Sequence, residues 1–420
     1  MKNNMFGVLR NRAFRSLFAA QVFSDLGNWL DFIAIQVIVA YKWGLGEEAI
    51  AAVIIVLALP WVVIGPFAGV LVDRMSKKHV MIVTLLLRAV FVSGLYFSPN
   101  LYILLLFLLL KSTAGALFDP ARQAMIRETV NEGELPSAVT LSQLSLNSTK
   151  IIGPALGAGI ISLFGAKSPF LFEIAGFVLG TVFLFMLPTA KFMHATIHDG
   201  RASGGKPAFK KELAEGIMHI FKVPVLRISV ILTAAALFII FLYDGLFVFI
   251  AKSIGFNGES FGLLVSSVGL GSVAGAIFLG NWTRWKTLPV QFMSGSALFS
   301  GLLIACIGLG GHKVFTLADW GWMIGAFLLG VLGASQSVPY GYVLQSETPS
   351  KLMARVSAAA SALQTFSMLV APAAGAMLAK VIGVPNVMLL AGAATTFLGV
   401  CVLTAYSARK RNMETKAGAS

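Results

Sequence analysis

Apolar runs of membrane-spanning length recur from one end of this 420-residue chain to the other. A helix needs about 20 such residues to cross the hydrocarbon core of a bilayer. Runs of that kind fall at residues 13–41, 49–72, 79–98, 100–121, 137–164, 168–187, 227–251, 259–281, 289–309, 320–344, 355–380 and 384–407. Within lipid every backbone polar group must be paired inside the segment, which makes each of these runs a helix. A soluble fold is excluded by polarity. Only 12% of the residues are charged and 57% are hydrophobic, against roughly 25% charged in soluble domains. The first run spans Leu17 to Tyr41 and is too long for a signal peptide, although Lys2, Arg10, Arg12 and Arg15 precede it.

The formal net charge of +14 would suggest nucleic acid if the chain were soluble. Its placement argues otherwise. Of the 32 Lys and Arg, Lys42, Lys167, Lys252, Lys313 and Lys380 fall on the outer side of the expected topology, and Arg88, Lys111 and Lys150 fall at membrane depth. The remaining 24 lie on the cytoplasmic side, as the positive-inside rule requires. Both termini are therefore expected in the cytoplasm of a multi-pass protein of a bacterial plasma membrane, with the bilayer as partner and no nucleic acid. The two cysteines, Cys306 and Cys401, sit in apolar runs and form no disulfide framework. The five histidines have no metal-ligand spacing, and no G-x-x-x-x-G-K-[ST] loop occurs. Gly269-Leu-Gly271-Ser-Val-Ala-Gly275 has a dinucleotide-like spacing but lies inside an apolar helix with no strand before it. No cofactor, metal or enzymatic activity is expected.

One loop divides the runs six and six. Residues 188–226 carry Lys191, Arg201, Lys206, Lys210, Lys211 and Lys222, and Phe209, Leu213, Ile217, Ile220 and Phe221 recur there at helical spacing. A short amphipathic helix at the membrane surface fits this pattern. The halves also repeat. Pro120, Glu128 and Thr129 match Pro339, Glu347 and Thr348 at an offset of 219, and Pro154, Gly157 and Ala158 match Pro372, Gly375 and Ala376 at 218. Lys42 and Arg74 match Lys252 and Arg284 at 210, the difference arising in the longer external loop Gly310–Asp319. The expected fold is an all-α integral membrane protein, with twelve transmembrane helices in two pseudo-symmetric six-helix bundles. The first bundle covers 1–187, a cytoplasmic linker 188–226, and the second bundle with a cytoplasmic tail 227–420. Duplicated helical units of this kind are common in transporters.

Gly69-Val-Leu-Val-Asp73-Arg74-Met-Ser-Lys77-Lys78, between the second and third runs, resembles the signature loop of the major facilitator superfamily. The resemblance implies that Asp73 bridges to the opposite half and helps hold an outward-facing state. The second-half copy, Gly280-Asn-Trp-Thr-Arg284-Trp-Lys286, lacks the acid. In the fifth run, Gly153-Pro154-Ala-Leu-Gly157 is similar to the G-P-x-x-G element of facilitator antiporters and implies export. Its glycines equally permit close helix packing. Lys111-Ser-Thr-Ala-Gly115 in the fourth run is similar to an R-x-x-x-G element of proton-coupled facilitators, with Lys in place of Arg. An ammonium can give up its proton where a guanidinium does not. Ser24-Asp25-Leu-Gly27-Asn28-Trp29, Phe118-Asp-Pro120-Ala-Arg122-Gln, Glu134-Leu-Pro-Ser-Ala138, Glu212-Leu-Ala-Glu-Gly216 and Pro224-Val-Leu-Arg227 resemble the drug:proton antiporter-3, macrolide-efflux-like group.

Ionisable groups at bilayer depth cost about 2.5–3.5 kcal/mol each on insertion scales and mark function by default. Gln21, Asp25 and Asn28 form one stripe on the first helix, and Gln143, Asn147 and Lys150 another on the fifth, each at i, i+4, i+7. Asp31 points elsewhere on the first helix. The resemblance implies that the first, fourth, seventh and tenth helices line a central cavity with the fifth beside them, so that Asp25, Lys111, Lys150 and Asp244 face it. Substrate and proton coupling is therefore expected at Asp25, Asn28, Asp31, Lys111, Asn147, Lys150 and Asp244, with Asp25 and Lys111 as a titrating pair. Arg88 and Glu173 lie on helices that the same resemblance makes peripheral, and are expected to snorkel or pack. The expected function is proton-coupled efflux of amphiphilic, drug-like molecules by a monomer working through alternating access. Lysophospholipid or siderophore export, facilitative uniport, or a non-transporting receptor or scaffold are the alternatives.

Overall fold

The computed structural model describes residues 5–131, 133–187, 207–349 and 352–417. Fifteen α-helices account for almost all of them: α1 (Arg12–Val37), α2 (Glu47–Val63), α3 (Gly65–Asp73), α4 (Lys77–Phe97), α5 (Leu101–Thr129), α6 (Leu135–Phe164), α7 (Ser168–Phe185), α8 (Pro207–Lys222), α9 (Pro224–Asp244), α10 (Phe247–Ser253), α11 (Gly258–Asn281), α12 (Pro289–Gly311), α13 (Asp319–Ser346), α14 (Met353–Ile382) and α15 (Val384–Ala417). Among the described residues, ten helices are long and apolar enough to cross a membrane. The other two expected spans correspond to α2 with α3, and to α6. The 17 residues of α2 stop at Val63 and the chain restarts as α3 at Gly65. Pro66 has no N–H to donate to the preceding turn, so the run expected to be continuous is broken there. The seventh run is likewise broken, α9 ending at Asp244 and α10 starting at Phe247.

The fourth expected run stops at residue 121, but α5 continues past Pro120 to Thr129. Arg122, assigned above to a cytoplasmic loop, is therefore inside a helix and buried. The ion pair Asp119–Arg122, at 2.7 Å and one turn apart, holds the stretch after the proline.

Two compact units form, Met1–Ala202 with Gly258–Ser266, and Ser203–Asn257 with Ser267–Ser420. In the first, α1 packs on α6 and α7, and α4 on α5 and α7. In the second, α12 packs on α15 and α13, and α14 on α9 and α8. The sequence repeat has a physical basis at two pairs of glycines. A Cβ on Gly157 of α6 would fall 2.4 Å from the carbonyl oxygen of Leu30 in α1, and one on Gly375 of α14 would fall 1.8 Å from that of Leu242 in α9. Both units thus join equivalent helices at van der Waals contact of backbone with backbone. Gly165 and Gly383, with φ of 91° and 84°, cap α6 and α14 at the same 218-residue offset, a conformation that disfavours a side chain.

The amphipathic pattern in the linker is realised as α8. Ile220 joins a cluster with Leu226, Val230, Val343, Val356, Ala359 and Ala360. Glu215 pairs with Arg355, and His219 lies 3.0 Å from the carbonyl oxygen of Glu347. Ile217, Met218 and Phe221 remain exposed.

Candidate functional site: two buried charge clusters in the first unit

The described residues of the loop between α3 and α4 are held by helix ends. Lys78, at the start of α4, donates to the carbonyl oxygen of Leu187 at 2.6 Å, just beyond α7. A cation is favoured there because the last carbonyls of a helix lack intrahelical donors. Lys77 lies 3.6 Å from Glu128 near the end of α5. Arg74 is exposed. The side chain of Asp73 and the surroundings of Gly69 lie outside the described residues.

Deeper in the unit, charged side chains gather in two groups, separated by the rotation of α1. Successive residues turn by 100°, so Asp25 and Asp31 meet different neighbours. Around Asp25, Oδ2 accepts from Gln21 Nε2 at 3.1 Å and from Ser145 Oγ at 3.0 Å, while Oδ1 is 3.4 Å from Arg122 Nη1. Gln21 Nε2 also donates to the Ser142 carbonyl oxygen at 2.9 Å, and Ser142 Oγ returns a bond to Gln21 Oε1 at 2.8 Å. This cluster joins α1, α5 and α6.

The second cluster joins α1, α4, α5 and α7. Lys111 Nζ lies 2.5 Å from Asp31 Oδ2 and 2.6 Å from Glu173 Oε1. The first contact is a hydrogen bond. The second is an ionic contact whose angles fall outside hydrogen-bond geometry, since neither oxygen of Glu173 accepts a hydrogen bond among the described residues. Arg88 Nη1 donates to Ser24 Oγ at 2.8 Å and Nη2 donates to Asn28 Oδ1. Its guanidinium stacks 4.0 Å over the Phe177 ring. None of these four ionic side chains is more than 4% exposed. Gly27 makes room for this arrangement. A Cβ there would fall 2.6 Å from the Phe177 ring and 3.2 Å from Glu173 Cγ.

The pairing differs from the sequence expectation in three ways. Lys111 meets Asp31 and Glu173 rather than Asp25, and Asp25 meets Arg122. Asn28 belongs with Arg88, off the Gln21–Asp25 stripe. Arg88 and Glu173 do not snorkel; of the two expected outcomes they pack, but fully buried and with ionic neighbours rather than at a lipid-facing periphery. The rule that intramembrane charges mark function would have found them, had the resemblance not assigned their helices to the periphery. The pair Asp119 and Arg122, one turn apart, was the corresponding signal for α5. Gly153 and Gly157 of the fifth-run motif press on Trp29 and Leu30, so a packing role is realised at both. The side chains of Pro154, Asn147 and Lys150 lie outside the described residues. Asp244, at the end of α9, is half-buried in the second unit and has no ion-pair partner among the described residues.

Among the described residues the protein is all-helical, with many apolar spans and charges of both signs buried among them, the make-up of a polytopic membrane protein. The sequence profile of the Major Facilitator Superfamily matches residues 17–285 and again 242–420. The chain belongs to that superfamily. It is 27% identical to the MFS-type transporter YfiS of Bacillus subtilis over 92% of each chain, and 23% identical to macrolide efflux protein A of Streptococcus pyogenes over 80% of this chain and 81% of that one. It is also 27% identical to the putative bacilysin exporter BacE of Bacillus amyloliquefaciens over 63% of this chain and 65% of that one. Among solved structures, a bacterial homologue of the human lysosomal transporter Spinster aligns with a TM-score of 0.61 at 13% identity, covering 94% of this chain and 96% of that one. A POT peptide transporter aligns with a TM-score of 0.66 at 17% identity, covering 93% of each. At such identities these two structures speak to the fold alone.

Proposed function

We propose that this transporter exports amphiphilic, drug-like molecules from the cytoplasm of a bacterial cell, driven by proton entry through alternating access. The observation that carries the reading is the cluster Asp31–Lys111–Glu173–Arg88, with charges of both signs buried across four helices. Buried ion pairs are poor stabilisers compared with apolar packing, so their presence at bilayer depth favours a role in charge movement. The direction of transport rests on the relatives named for efflux. Asp31, hydrogen-bonded to Lys111, replaces Asp25 as the first carboxylate to test, with the Asp25–Arg122 cluster second. Asn28 acts by positioning Arg88. Asp244, Asn147 and Lys150 are further candidates for contact with substrate or proton, and Asp73 with Arg74, Lys77 and Lys78 for a cytoplasmic gate.

The test is flux of a radiolabelled macrolide in proteoliposomes. The parent should accumulate it against a gradient when a pH difference is imposed. Asp31→Asn should lower that uphill flux by at least about tenfold, equivalent to about 1.4 kcal/mol, while exchange between equal pools persists. No response of the parent to the pH difference removes proton coupling from the reading.

Topology has its own test. Both termini and the linker belong in the cytoplasm on the distribution of basic residues. Ser203→Cys should stay unlabelled by an impermeant thiol reagent in intact cells and become labelled after permeabilisation. Labelling from outside would invert the topology.

A further inference from the structure

Glu173 is the second carboxylate held against Lys111. It lies on α7, is fully buried, and neither carboxyl oxygen accepts a hydrogen bond among the described residues. Buried polar atoms in native proteins almost always have a partner, and the exceptions ask for a reason. The charged groups that face it are Lys111 of α5 at 2.6 Å, Asp31 of α1 and Arg88 of α4. No described residue of α6 adds a charge beside it. Asp31 and Glu173 share one ammonium, and they share it unequally. Asp31 takes the Lys111 hydrogen bond at 2.5 Å, whereas Glu173 has only the ionic contact. Arg88 Nη1 and Nη2 each donate one hydrogen bond, to Ser24 and Asn28 of α1, and its Nε–H has no partner among the described residues. Protonating Asp31 would weaken its hydrogen bond from Lys111. Protonating Glu173 would weaken only a poorly angled contact to the same ammonium and would turn an acceptor-only group into one that can donate.

We propose that Glu173 is the group at which this transporter takes up and releases its coupling proton, with Arg88 as a positioning residue that keeps α1 and α4 together around it. This deepens the proton-coupled reading above and rests on it. In the step, a proton leaves hydronium on one side of the membrane and an O–H bond forms on the Glu173 carboxylate; no other covalent bond changes. The cluster passes from two negative and two positive groups to one net positive charge. Lys111 keeps Asp31 and loses its attraction to Glu173, so the electrostatic tie between α5 and α7 weakens while the tie between α5 and α1 remains. Such a differential contact is what a proton needs in order to shift a conformational equilibrium. The side chains concerned are no more than 4% exposed, so the proton site is sealed from a drug-sized molecule in this conformation. Substrate and proton then act on separate places.

Infrared difference spectroscopy of the full chain in lipid, recorded between alkaline and acidic pH, tests this without a substrate. The parent should gain a protonated-carboxyl band on acidification. Glu173→Gln should lose the component of that band that belongs to this carboxyl, read as a parent-minus-variant difference, and Asp31→Asn should keep it. Glu173→Asp, which retains the acid on a shorter stem, should keep the band with a shifted midpoint. In proteoliposomes with the labelled macrolide, Glu173→Gln should lower pH-driven flux at least about tenfold and leave equal-pool exchange within about twofold, the pattern of a coupling defect rather than a binding or folding one. A folded Glu173→Gln protein with the parental band, or with parental pH-driven flux, would overturn the assignment, as would a parent with no such band. A parent that has the band, loses it in Glu173→Gln and yet shows no pH-driven flux would overturn the proton-coupled reading and leave Glu173 as a proton site.

Discussion

Lys111→Met should destabilise the first unit by about 3–5 kcal/mol, the usual cost of removing one partner from a buried ion pair. The cause is local and can be stated atom by atom. Lys111 Nζ sits 2.5 Å from Asp31 and 2.6 Å from Glu173, and all three side chains are sealed from solvent. Methionine fills similar volume but leaves two carboxylates facing the single guanidinium of Arg88, which donates to Ser24 and Asn28 rather than to either of them. Thermal unfolding of the protein in detergent should show the loss. Adding Asp31→Asn to Lys111→Met should recover part of it, because the charge left unpaired is then removed, and the double-mutant cycle gives the coupling. Lys111→Arg keeps the charge and should cost far less. If Lys111→Met unfolds within about 1 kcal/mol of the parent, the cluster is not the charge-balanced unit described above.

The second large effect is steric. Gly375→Ala should destabilise the second unit by about 1–3 kcal/mol or more, the range for forcing extra volume into a close-packed site. Its new Cβ would lie 1.8 Å from a backbone oxygen of Leu242, which cannot rotate out of the way as a side-chain tip could. Gly157→Ala faces the same kind of contact at 2.4 Å from Leu30 and should cost somewhat less. Gly295 in α12 supplies the control, since a Cβ there meets nothing within 4 Å. Gly295→Ala should therefore leave the protein as stable or slightly more so, by the helix preference of alanine over glycine. Equal unfolding temperatures for the three variants would remove the glycine contacts as the reason the two halves share this spacing.

These two predictions separate what could be read in the sequence from what could not. The apolar spans and the repeat are legible in properties that add along the chain. Hydropathy over about 20 residues decides whether a segment enters lipid, and the clustering of Lys and Arg divides the chain at 188–226. The breaks at Ile64 and after Asp244 were missed because hydropathy does not register a lost backbone donor or a short turn inside an apolar run. Pro120 carried the opposite error. It sits within α5, which continues to Thr129 and brings Arg122 into the interior.

Partner choice among the charges was not legible in the same way. The sequence placed Asp25, Asp31, Arg88, Lys111 and Glu173 at membrane depth or beside it. It could not say that Lys111 would meet Asp31 and Glu173 while Asp25 met Arg122. Those pairings depend on the rotation of α1 about its axis and on which neighbours the bundle packs against each of its faces. That rotation is fixed by contacts far apart in the chain, such as Gly27 against Phe177 and Gly157 against Leu30. Composition and periodicity are sums over neighbours in sequence, so by themselves they determined a membrane protein of paired helical bundles with ionisable groups inside it. Only the tertiary structure decided which of those groups touch, because an ion pair depends on distances of a few ångströms between helices and not on position along one of them.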